Sequence, residues 1–227
     1  MNARSMGRMG DLGIANAVLY SVSRVLRLVT GRDMLRYYLF TAQPVSERPL
    51  IRVSGRRQVR VDIVAPENYR LAWFPRPAHV IADRFRQGGL CFAAFKGDEA
   101  VGCLWLARDE YREDEVACRF VPQPAHLAVW DFDVYVKPEH RGGRVFAYLW
   151  DEAFQWLKDN GYRWTMSRID GFNPASIRAH RRLGARVMGR GIFFVAGKLQ
   201  ISFFTVRPFV NLCWGRRHPP KVRVRAP

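Results

Sequence analysis

The segment Val136-Lys137-Pro138-Glu139-His140-Arg141-Gly142-Gly143-Arg144-Val145 constrains this chain more than any other. Ahead of it, Leu127 to Val136 reads as a strand. Behind it, Arg144 to Asp159 sets Val145, Leu149, Ala153, Trp156 and Leu157 on one side of a helix, with Gly161 as its stop. A strand that passes through two glycines into a helix leaves unpaired N–H groups at the positive end of the helix dipole, and Arg141 and Arg144 add full charges. Such a turn suits a diphosphate, although Arg-Gly-Gly-Arg also occurs in solvated turns. The Gly-Lys-Ser/Thr of a P-loop and the spacing of a GxGxxG dinucleotide turn are both missing.

Periodicity organises the rest. Leu12 to Val29 carries Leu12, Ala15, Leu19, Val22, Leu26 and Val29 at steps of three and four, an amphipathic helix too polar to span a bilayer. It packs on its own domain or lies on a membrane surface. Met34 to Val45 is rich in aromatics, and Gln58 to Val64 alternates as a strand. His79 to Arg86 is a short helix with Val80, Ile81 and Phe85 as its apolar side. Leu90 to Phe95 and Ala100 to Ala107 form a hairpin, and the acidic stretch Asp109 to Glu115 reads as an exposed loop. Arg163 to Ile169 is a strand, Asn173 to Leu183 a helix stopped by Gly184, and Arg186 to Val195 and Leu199 to Thr205 two more strands. Trp73, Phe74, Trp105, Trp130, Trp150, Trp156 and Trp164 are read as core, and Trp214 stands in the basic tail beside Arg216 and Arg217.

Val136, Pro138, Arg141, Gly142, Val145 and Leu149 fall in the register of the cofactor motif of the GNAT N-acetyltransferase superfamily, which the chain resembles. Arg144 and Phe146 depart from it, standing where that family has Gly and Gly or Ala. A second motif of the family agrees at Asn173, Ser176 and Gly184, and the resemblance covers residues 59–205. It implies an α/β (α+β) fold, with a mixed, mostly antiparallel sheet flanked by helices, to which this chain adds the N-terminal amphipathic helix. It also implies acetyl-CoA or a related acyl-CoA as co-substrate and an amine as acceptor. Backbone groups near Val134 and Val136 would hold the thioester and pantetheine amides. The N–H groups of Arg141, Gly142, Gly143, Arg144 and Val145 would hold the diphosphate, and Asn173, with Ser176 beside it in the second motif, would meet the pantetheine arm.

Acyl transfer to an amine needs a neutral amine, a stabilised oxyanion and a proton for the departing thiolate. By the resemblance, His180 stands where many relatives carry the tyrosine that protonates the sulfur; otherwise it lies on the surface of a basic helix. Asp131 and Asp133 alternate with Trp130, Phe132 and Val134 and are candidates to take the amine proton or select a cationic amine, or one of them pairs with an arginine such as Arg168. The histidines show no metal-ligand spacing, so no metal is expected.

Charge and cysteine usage bound what remains. Cys91, Cys103, Cys118 and Cys213 are scattered, against a disulfide framework or zinc site, and the first residues lack a signal-peptide pattern, so a cytoplasmic location is expected. The formal net charge is +17: residues 1–60 hold 11 Lys and Arg against 3 acids, residues 61–205 hold 20 against 17, and residues 206–227 hold 6 against none. The expected organisation is a basic extension over 1–58, an acyltransferase domain over 59–205 and a basic tail over 206–227. Basic ends suit an anionic membrane surface, placing the protein peripherally at its inner face, or nucleic acid, the less favoured partner. The leading function is N-acyl transfer from acetyl-CoA, with an amino sugar or an envelope or exopolysaccharide intermediate among the acceptors. The rival is a non-catalytic module of the same fold that binds nucleic acid or another anionic polymer.

Overall fold

In the structure, a computed structural model, residues 13–51, 59–68 and 74–227 are described; Leu12, Gln58 and Trp73, which the sequence reading used, lie outside the described residues. The chain forms two compact units. The first comprises Met1–Gln43, Arg112–Val121 and Ser167–Pro227, and the second Pro44–Tyr111 and Pro122–Met166. Its elements in chain order are α1 (Gly13–Thr30), β1 (Leu35–Pro44), β2 (Arg60–Val64), α2 (Ala78–Arg86), β3 (Leu90–Lys96), β4 (Glu99–Ala107) and β5 (Tyr111–Arg112). There follow β6 (Arg119–Gln123), β7 (Ala128–Val136), α3 (Val145–Asp159), β8 (Trp164–Asp170), α4 (Pro174–Arg182), β9 (Arg186–Ala196), β10 (Leu199–Phe204), β11 (Val210–Trp214) and β12 (Lys221–Arg225). The fold is mixed α/β with mostly antiparallel pairing, as the sequence implies.

The second unit is built on the order β7-β4-β3-β2, every neighbour antiparallel. One face meets α3: a Cβ on Gly102 would come within 2.7 Å of the Tyr135 carbonyl and 3.2 Å of Val145, and Phe92 meets Trp156 edge-on. Only glycine lets β4 approach the start of α3 so closely. The other face meets α2, where Phe85 packs on Trp105 at 4.8 Å. The β4–β7 ladder slips between Trp105 and Leu106, which leaves Phe132 as the extra residue of a bulge, stacked on Tyr111 at 4.1 Å.

The first unit is built on β11-β10-β9-β1, again antiparallel. β1 is buried along almost its whole length, so the aromatic stretch that the sequence placed in an N-terminal extension is core. Residues 206–227 are not a loose tail. They form β11 and β12, with Val222 and Val224 buried and the Arg119 amide bonded to the Pro220 carbonyl. The compact units therefore cut across the boundaries at 58 and 205, because β1 pairs with β9 and β11 extends the same layer, while β12 joins β6 in a separate three-stranded sheet. On one face, Tyr20 of α1 meets Phe172, which meets Tyr37 of β1.

The acidic stretch corrects a second expectation. Glu113 is fully buried and receives a bidentate pair of hydrogen bonds from Arg168 at 2.8 and 2.9 Å. The Arg168 guanidinium also lies over the Tyr38 ring and 3.3 Å from Glu115, while Tyr38 donates to Glu115. Arg216 donates to the backbone carbonyls of Glu113 and Asp114. Burial raises the Glu113 carboxyl above its ordinary value, and Arg168 opposes that rise.

All four cysteines are free and buried. Burial pushes the Cys103 thiol up to about 12 and raises Cys91, Cys118 and Cys213 as well.

Candidate active site

The glycine turn lies wholly in the second unit. After β7, Pro138–His140 make one turn of 3-10 helix, Gly142 takes φ +80°, a value a side chain disfavours, and Arg144 occupies the N-cap of α3. Arg144 makes no side-chain capping bond, and the first amide bonded back into the helix is that of Tyr148, to the Arg144 carbonyl. The first-turn amides of this fifteen-residue helix thus stand at its positive end with no capping bond from the Arg144 side chain. Such an end fits a diphosphate. Phe146 turns along the helix toward Trp150, ring centroids 6.3 Å apart, and Arg141 folds back so that its Nε donates to the Val136 carbonyl at 3.0 Å over the Tyr135 ring.

β7 supplies the remaining second-unit candidates. Val136 pairs with Gly102, Val134 with Leu104 and Asp133 with Trp105. Asp131 is buried. Asp133 faces α2, whose Arg84 donates to it at 2.7 Å, and Arg76, just ahead of that helix, stands at 3.6 Å. Arg84 is itself buried and spread over the Trp105 and Phe132 rings at 5.6 and 5.2 Å. Arg168, suggested as partner for an aspartate, is taken by Glu113 instead. Arg84 and Arg76 escaped the sequence reading, yet one signal was there: Arg84 sits three residues after Ile81 and four after Val80, inside the apolar stripe of its helix.

Asn173, Ser176 and His180 belong to the first unit. Asn173 is the N-cap of α4, its side-chain oxygen accepting from the Ser176 amide at 3.1 Å. His180 is not a surface residue: it is 6% exposed, and its Nδ1 lies 3.1 Å from Oε1 of Gln43 on β1. Burial lowers its pKa to about 4, so the ring is neutral near pH 7. Glu99, Glu139 and His140 bring their donor atoms within 4.8 Å of one another beside the turn, but Glu99 is already held by Lys137 at 2.7 Å.

A mixed, mostly antiparallel sheet with a helix start behind one strand offers the positive end of a helix dipole to an anion. Residues 61–185, more than half of the chain, match the model of the acetyltransferase (GNAT) family; the chain belongs to that family and is an acyltransferase by it. No curated protein matches the chain. Among solved structures it is similar to a tandem GNAT protein from the clavulanic acid biosynthesis pathway, at 12% identity and TM-score 0.50 over 74% of this chain and 55% of that one. It is also similar to a GNAT family acetyltransferase from Elizabethkingia anophelis with acetyl-CoA bound, at 9% identity and TM-score 0.42 over 56% and 75% of the two chains. A third is an aminoglycoside acetyltransferase from an uncultured soil metagenomic sample, at 13% identity and TM-score 0.40 over 56% and 87%.

Proposed function

We propose that the protein transfers an acetyl group, or a related acyl group, from acyl-CoA to a primary amine. The observation that carries this reading is the start of α3, whose amides, Gly142 and Arg144 fit a diphosphate. In this reading Arg141 swings from the Val136 carbonyl to the diphosphate, and Gly143 keeps the turn low enough for the ligand to approach. A Cβ at Gly143 would meet the His140 carbonyl at 3.3 Å. The backbone of Val134 and Val136 is assigned to the acyl-pantetheine arm, and Asn173 and Ser176 keep their assignment to it by family resemblance alone.

Asp133 pairs with both Arg84 and Arg76. Its part is to fix Arg84 beside β7, and Asp131 is the assigned acceptor for the amine proton. His180 keeps its assignment to the departing sulfur by family resemblance: burial disfavours the imidazolium, and Oε1 of Gln43 accepts from the Nδ1–H, so Nε2 is the nitrogen assigned to the sulfur. The acceptor is an amino sugar or an envelope or exopolysaccharide intermediate, a reading supported only by the basic character of the chain, and the reaction belongs in the cytoplasm.

Calorimetry with acetyl-CoA tests the central claim. Arg141→Glu should weaken binding by about tenfold or more, since a carboxylate then faces the diphosphate. Unchanged affinity overturns the assignment of the turn. A transfer screen over amines and amino sugars then identifies the acceptor, and His180→Ala should lower kcat far more than acetyl-CoA affinity.

A further inference from the structure

We propose that the face of the β9–β10–β11 layer left uncovered in the first unit, together with the outer stripe of α1, docks the protein on an anionic phospholipid bilayer. The inference stands apart from the acyl-transfer reading and rests on three observations.

The first is an inverted strand pattern. β10 turns Gln200 and Ser202 inward, where Gln200 bonds both the amide and the carbonyl of Ala117, and turns Phe203 outward at 50% exposure. β11, the edge strand, buries Cys213 and exposes Val210, Leu212 and Trp214 by 60% or more. Phe203 lies opposite Val210, so the exposed side chains form one patch rather than scattered residues. A half-solvated antiparallel sheet ordinarily shows water its polar side, and an apolar patch in that position marks a surface that meets something apolar.

The second is α1. Its half-buried side carries Leu19, Tyr20 and Leu26, and Tyr20 anchors it through Phe172 to Tyr37. A separate stripe, Val18, Val22, Val25 and Val29, follows helical spacing and is exposed. Tyr37 pairs with Ile192 of β9 and Ile192 with Phe203, so the helix is anchored over the same side of the layer as the patch. No helix among the described residues is long and apolar enough to cross a membrane, so the contact is one of lying on the surface.

The third is charge. The first unit holds 21 Lys and Arg against 6 Asp and Glu, whereas the second holds 16 against 14. No acidic residue occurs in α1 or anywhere after Asp170. Lys198, Arg207 and Arg217 are exposed in the turns that border the patch. An apolar centre with a mostly basic rim complements anionic headgroups over acyl chains, and Trp214 close to Arg217 is a suitable interfacial anchor. A second copy of the chain would set basic rim against basic rim. Nucleic acid finds valines along the outer stripe of α1, and Val210 and Leu212 between the rings of the strand patch, where a row of stacking rings would be needed.

Co-sedimentation of the full chain with vesicles tests the proposal. The protein should bind phosphatidylglycerol-containing vesicles at low salt, release at high salt and ignore pure phosphatidylcholine. Leu212→Asp with Trp214→Asp should weaken vesicle binding by about tenfold or more while calorimetric acetyl-CoA binding is unchanged. Val18→Asp with Val25→Asp should act in the same direction and decides the matter if the strand variant fails to fold. The proposal is overturned if wild type ignores anionic vesicles at low salt, or if the folded variants bind them as wild type does. It is also overturned if ultracentrifugation finds a dimer that Leu212→Asp dissociates without any vesicle binding, or if only single-stranded oligonucleotide is retained.

Discussion

The two units treat charge in opposite ways. The first carries nearly all of the excess, 21 basic against 6 acidic residues, and yet seals a carboxylate inside: Glu113 lies buried under Arg168, with Tyr38 and Glu115 alongside. The second is almost neutral, 16 against 14, and keeps its central carboxylate, Asp133, partly open under two arginines. The difference separates two uses of the same residues. A sealed pair ties distant stretches of chain together, whereas a half-open one leaves charge within reach of a ligand.

Removing the sealing arginine is the strongest way to break that comparison. Arg168→Met should cost about 3–5 kcal/mol, because it strands a buried carboxylate. Burial then favours protonated Glu113, whose folded pKa exceeds its unfolded value, so the deficit should shrink as pH falls. Thermal unfolding at pH 5 and pH 8 reads both effects, and an equal loss at the two pH values contradicts a buried anion.

The next effect is also confined to the first unit. His180 titrates near 4 when folded and near 6.5 when unfolded, so the unfolded chain binds the extra proton and stability is lost as pH falls through that window. The loss should total about 3 kcal/mol, and His180→Gln should flatten the acid limb of a denaturation series. In the second unit, Arg84→Met should cost less than its counterpart, about 2 kcal/mol, since Asp133 keeps Arg76 and some solvent. A cost equal to that of Arg168→Met in the same melting assay would erase the distinction between sealed and half-open pairs. Asn173→Ala is the smallest change, about 1 kcal/mol for a lost N-cap, seen as a slight fall in Tm. A drop in acetyl-CoA affinity beyond that would give Asn173 a ligand contact as well as its cap.

What could be read from the sequence follows the range of the forces involved. The β7–turn–α3 passage was legible because its glycines, arginines and apolar spacing act within ten residues or so, and the observed helix starts one residue after the expected one. Burial of Glu113 was not, since its partner lies 55 residues along and an acidic run looks solvated in isolation. His180 was read as either a proton donor or a surface residue for the same reason: Gln43 is 137 residues away. The C-terminal strand was missed although its signal was local. Lys221-Val222-Arg223-Val224-Arg225 alternates with period two, and the run of basic charge drew the reading toward a tail.

The four buried thiols give each unit its own clock. Cys91 and Cys103 belong to the second unit, Cys118 and Cys213 to the first, and burial raises all four thiols. Because only the thiolate reacts, alkylation must wait until a sulfur is bared to water. A time course of reagent incorporation, resolved by peptide mass, therefore records which half of the molecule opens first and how often, with no substitution introduced.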